Sequence, residues 1–152
     1  MPGLPRLRLE GNGAGTMFHT ELYRRGPGHS SSAAKVIAAY NPSMARAILE
    51  RGFIRRMPFT IVDPNRYRQV LHQVRIDGYA ASREEHTMGM SSIAAPIVLH
   101  RGERTAAVAA ISVVGGTSRV LGARKVAVVQ SVRRAAATVS AALERSQEQE
   151  RR

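Results

Sequence analysis

The chain carries five histidines and eleven acidic residues. The histidines, His19, His29, His72, His86 and His100, are spread along it, and none has a partner at metal-ligand spacing. "EEH" at 84–86 sets two carboxylates beside an imidazole, too close in sequence to converge on one ion. Zinc needs three or four converging ligands. No metal site is expected, and Glu84, Glu85 and His86 read as a solvated loop. Cysteine is absent, which excludes disulfides, thiolate metal sites and cysteine nucleophiles. Serine is common, but no G-x-S-x-G elbow exists, and Ser91 and Ser92 lie in an extended run without the sharp turn that activates a nucleophile. "GGTSR" at 115–119 lacks the Lys-Ser/Thr ending of a phosphate loop. Paired carboxylates for acid–base work are not found. Neither a catalytic set nor a cofactor is expected.

What remains is a small-residue hairpin. "GMSSIAAPIV" (89–98) reads as a strand, yet it is built from Gly, Ser and Ala with Pro96 inside it. Strand alternation puts Ser92, Ala94, Pro96 and Val98 on one face and Ile93, Ala95, Ile97 and Leu99 on the other. On the following strand Ala106, Val108, Ala110, Ser112 and Val114 share a face. Two readings stay open. Small side chains let a helix approach a sheet closely, or they leave an apolar cavity with Ser92 and Ser112 as its few polar groups, the usual make-up of a ligand pocket. Pro96 is tolerable where the strand meets an edge or a bulge.

Several elements must position that hairpin. The serines at 30–32 can cap a helix running to about Tyr40. Asn41 and Pro42 start a second helix that Gly52 ends, and Asp63 and Pro64 start a third. Tyr67, Val70, Leu71 and Val74 form the apolar stripe of the third, and Gly78 stops it. "YAAS" (79–82) begins a strand, the runs 90–99 and 105–114 form the hairpin, and "GGTSR" breaks the sheet. A long helix from Gly122 to about Gln147 closes the chain, and 16–25 is a further candidate strand. Short loops between consecutive strands favour an antiparallel sheet with helices packed on it, an α+β layout.

At 152 residues one domain is the default. No run of about 20 apolar residues exists, and the first 15 residues lack the apolar core of a secretory signal, so no membrane partner is expected and the chain fits a cytoplasmic protein. The net charge of +12 comes mainly from scattered arginine, since of 23 basic residues only Lys35 and Lys125 are lysines. Aromatic residues make up 5% of the chain, too few for the stacking platforms of a single-strand binder.

Three blocks carry a family resemblance: "HSSSAAKVIAAY" (29–40), "TIVDPNRYRQVLHQVRIDGYAASREEHTMGMSSIAAPIV" (60–98) and "AAVAAISVVGGTSRV" (106–120). In this order the chain resembles the C-terminal effector-binding domain of IclR-type bacterial transcriptional regulators. Lys35 stands at that family's lysine, and Glu84 and Glu85 at its Glu-Glu pair. The resemblance implies a GAF-like antiparallel sheet flanked by helices, with a small organic acid held on its concave face. Carried over by position, the ligand-binding residues are Ser32, Ala33, Ser82, Met90, Ser92, Ser112 and Val114. Ser82 replaces the Asp of some members, Ser92 the Cys of many and Val114 a second Ser, which points to an aromatic or otherwise bulkier acid. Residues 28–146 form the sensor, 1–27 a tail with a first strand, and 147–152 a frayed polar end. A homodimer or homotetramer is implied, with DNA bound only through a winged helix that this sequence does not show. The alternatives are a GAF-like hydrolase or lyase using His29 or His86, and a basic nucleic-acid binder with steeply salt-dependent affinity.

Overall fold

Three helices open the described chain, each starting where a short polar side chain holds a free backbone N–H. The structure, a computed structural model, describes residues 28–151, so the strand expected at 16–25 lies outside it. Helix α1 (Ser32–Ala39) is capped by Ser31, whose Oγ accepts from the Ala34 N–H. In α2 (Pro42–Arg51) Asn41 Oδ1 accepts from Met44 N–H at 3.0 Å, and in α3 (Pro64–Asp77) Asp63 Oδ1 accepts from Arg66 N–H at 2.6 Å. Pro42 and Pro64 take the first helical position, where the missing N–H costs nothing. Gly78 leaves α3 at φ +73°, a left-handed turn that a Cβ would strain, and its N–H caps Val74 O.

The sheet has the order β1 (Ala80–Arg83), β2 (Met90–Arg101), β3 (Arg104–Gly116), all antiparallel. Gly115 and Gly116 stay in β3, opposite Ser91 and Met90, so the sheet breaks later than the glycines suggest. The chain then makes the short α4 (Thr117–Val120) and the long α5 (Lys125–Glu150). The final helix thus starts after Gly122 and runs past Gln147.

Each face of the sheet has its own core. Ala80 and Ala94 pack beneath α1 and α3 with Val36, Ala38, Ala39, Tyr67, Leu71 and Val74. Ile93, Ala95 and Ile97 pack on the other face against Val120, Val132 and Ala136 of α4 and α5. Burying each large aliphatic or aromatic side chain contributes about 1.5–3 kcal/mol. The smallness of the first face is what lets α1 lie close to it.

The pairing register corrects one expectation. Ile97 pairs with Ala109 but Val98 with Ala107, so Val108 is an extra residue in β3. This bulge breaks the alternation, and Ala106 comes to stand opposite Leu99, on the other face from Ala110. The continuous small face of β3 therefore runs from Ala110 to Val114 only. The Val98 N–H donates to Ser140 Oγ of α5 at 2.9 Å. Pro96 sits next to the bulge and beyond Ala94, where pairing with β1 ends. Its missing N–H therefore faces no β1 partner.

Candidate functional site

Helix α1 brings its first turn onto the small-residue face. The register aligns Ser82, Ser92 and Val114 in one row across the three strands, and Ala80, Ala94 and Ser112 in the next. Ser32, the first residue of α1, places its Oγ 2.7 Å from Ser92 Oγ. Ser82 Oγ donates to Ser30 O at 2.7 Å. Two hydroxyls from two elements thus meet at the N-terminal end of α1, where the helix dipole is positive, and Ser82, the cross-strand partner of Ser92, holds the backbone just before that helix. Ala33 follows Ser32, half-buried, and Met90 is half-buried where β2 starts, opposite Gly116.

The two halves of this face differ. Ser32 and Ser82 are buried and Ala94 has no exposed surface, because α1 covers β1 and β2 there. Ser112 and Val114 on β3 are exposed, Val114 to 63%. Close helix packing fills the Ala80–Ala94 end, while the face stays open over Ser112 and Val114.

One pair of residues escaped the sequence reading. Glu85, expected in a solvated loop, is 5% exposed and makes an ion pair with Lys35, which is 1% exposed. Lys35 Nζ also donates to Ala81 O at 3.2 Å, and Thr60 Oγ1 donates to Glu85 O at 2.6 Å. Glu85 Oε1 has no hydrogen-bond partner. Burial pushes the Lys35 ammonium below its ordinary value, and the Glu85 charge and hydrogen bond oppose that. Burial, with the Glu85 charge adding, pushes the Tyr67 phenol up. A signal did exist: Lys35 is a rare lysine in an arginine-rich chain, inside an apolar helix.

Other candidate groups stay apart from this site. His29 is buried, its Nε2 3.0 Å from Ile54 O and its ring edge-on to Phe53, which is a packing role. His86 is exposed. Ser91 faces away from Ser92 and bonds Thr117 Oγ1 at 2.8 Å. Among the described residues no three His, Asp or Glu side chains gather as a metal site. Nor is any helix there long and apolar enough to cross a membrane. Open hollows of about 700 and 210 Å³ run along α2 and α3, lined by Pro42, Ala45, Leu49 and Arg68 among others, away from the serines.

Residues 10–141 match the model of the bacterial transcriptional regulator IclR C-terminal domain. The chain belongs to the IclR family. The glycerol operon regulatory protein of Streptomyces coelicolor is 34% identical over 116 residues, 75% of this chain and 44% of the relative. The chain therefore spans less than half the length of that IclR-type regulator. The C-terminal domain of E. coli KdgR superposes with a TM-score of 0.69 at 30% identity, over 80% of this chain and 73% of KdgR's. An IclR homologue from Microbacterium hydrocarbonoxydans, solved in complex with 4-hydroxybenzoate, superposes with a TM-score of 0.66 at 28% identity, over 81% of this chain and 50% of its own. The α+β layout with its antiparallel sheet and long last helix is that of the IclR C-terminal domains.

Proposed function

We propose that this chain is the effector-sensing part of an IclR-type transcriptional regulator and that it binds a small organic acid, aromatic by preference. The carrying observation is the 2.7 Å contact between Ser32 and Ser92, sixty residues apart, at the end of a face that is covered on one side and open on the other. The acid group would meet the first N–H groups of α1 and the hydroxyls of Ser32, Ser82 and Ser92. The body of the ligand would lie over Ala33, Met90, Ser112 and Val114. A helix N-terminus and neutral hydroxyls suit an anion without burying another full charge. The 4-hydroxybenzoate bound to the Microbacterium homologue supports the aromatic class. Regulation would follow from differential affinity of the effector for two states of the whole protein. Such a protein would act in the cytoplasm, as a homodimer or homotetramer, and would touch DNA through a separate winged helix.

A thermal-shift panel of aromatic and aliphatic acids tests this reading. A ligand at 100 times its dissociation constant adds about 2.7 kcal/mol of stability. Ser92→Leu fills the space beside Ser32 and should abolish the shift while the protein still melts cooperatively. A variant that responds like wild type shows the site is elsewhere.

A further inference from the structure

The ion pair of Lys35 and Glu85 lies next to the serines but outside the face they form. Ser32 and Lys35 are three residues apart on α1, so they project from the same side of the helix. Lys35 reaches Ala81 O and Glu85, while Ser32 reaches Ser92, and Ser82 and Ser92 are direct partners across β1 and β2. Glu85 belongs to the loop 84–89 that joins these two strands. That loop leaves β1 through Glu84 at φ +48°, a left-handed conformation disfavoured for a residue with a Cβ, and enters β2 through Gly89 at φ +73°. Thr60 holds its backbone by donating from Oγ1 to Glu85 O. Among the described residues Lys35 is the one buried basic side chain of the Lys/Arg type and Glu85 the one buried carboxylate. An apolar pair of similar volume would fill the space without stranding Oε1, so packing alone does not account for the charges.

We infer that Lys35 and Glu85 are the positioning pair of the serine site: they fix where α1 holds Ser32 over Ser92 and tie the 84–89 loop to that placement. The inference rests on the effector reading for its purpose, and on the ion pair and the strained loop for its geometry. An effector that separates Ser32 from Ser92 shifts α1, and Lys35 carries the shift to the loop. Neither residue touches the effector.

Hydrogen exchange of the ligand-free protein tests the placement. Glu85→Gln keeps the shape and removes the charge. It should speed exchange about tenfold or more in the 84–90 segment and in α1 together, with α5 unchanged. Val132→Ala, on the opposite face, should loosen α5 and leave α1 and the loop as they are. Glu85→Asp serves if Glu85→Gln does not fold, since it keeps the charge but shortens the reach. Faster exchange confined to the loop, with α1 as in wild type, overturns the inference. With 4-hydroxybenzoate as the probe, wild type should show slowed loop exchange. Glu85→Gln should lose that response and bind about tenfold more weakly, and Val132→Ala should keep both. If no acid of the panel shifts wild type, the effector reading fails while the ligand-free comparison still decides the pair.

Discussion

Lys35 and Tyr67 both feel the charge of Glu85, and burial moves their proton affinities in opposite directions. The folded protein raises the Tyr67 phenol above its ordinary 10.0. Below that pH both folded and unfolded chains hold the proton, and the contribution is fully present. Above it the unfolded chain releases its proton first, so stability falls with rising pH. Lys35 has the reverse sign: its folded value lies below the ordinary 10.5, so its share of stability grows as pH rises toward 10.5. Tyr67→Phe should therefore remove this share of the alkaline fall, seen as urea midpoints that drop less above pH 10 than those of wild type. Parallel curves for the two proteins would show that Tyr67 is not a buried neutral phenol. At this scale the sequence was only partly legible. The family position of Lys35 was readable, but the burial of Glu85 was not. Its environment is created by a loop that folds back beneath a helix fifty residues upstream.

Helix ends were legible because capping is local: Ser31, Asn41 and Asp63 each act on an N–H three residues on. The bulge at Val108 was not, because register is set between strands and by what packs on them. Ser140 shows the linkage. It accepts from the Val98 N–H beside the bulge and donates to Ala136 O of its own helix, and it is buried. Ser140→Ala strands that N–H and should cost about 1–3 kcal/mol in chemical denaturation. Ser146→Ala, which removes an exposed hydroxyl bonded to Ala142 O on the same helix, should be neutral within about 0.5 kcal/mol. Equal losses in the two variants would mean that α5 does not serve the bulge.

For the whole molecule the question is what the charge does. Every described arginine is exposed, and they are distributed over several elements, α2, α3, the hairpin and α5 among them. A scattered distribution keeps a chain soluble and raises weak, salt-sensitive attraction to polyanions without giving a specific surface. Fluorescence anisotropy with random duplex DNA should show no saturable binding at roughly physiological ionic strength, where the Debye length is about 8 Å. Tight binding with a steep salt slope would instead make this region a DNA-contacting surface. The two-faced sheet has a matching division of labour. The large aliphatic residues hold α5 on one side, and the small residues with hydroxyls receive α1 on the other.

The sequence by itself determined the four longer helices, the antiparallel hairpin, the small-residue face and, through three ordered blocks, the family. Those features rest on local propensity, on alternation along one strand and on motif order, all of which are properties of the linear chain. Only the tertiary structure decided which part of the small face α1 covers, that Ala106 leaves that face at a bulge, and that Glu85 is buried against Lys35. Each of these depends on how distant segments meet, and a single buried charge or an extra strand residue leaves no periodic trace in a sequence.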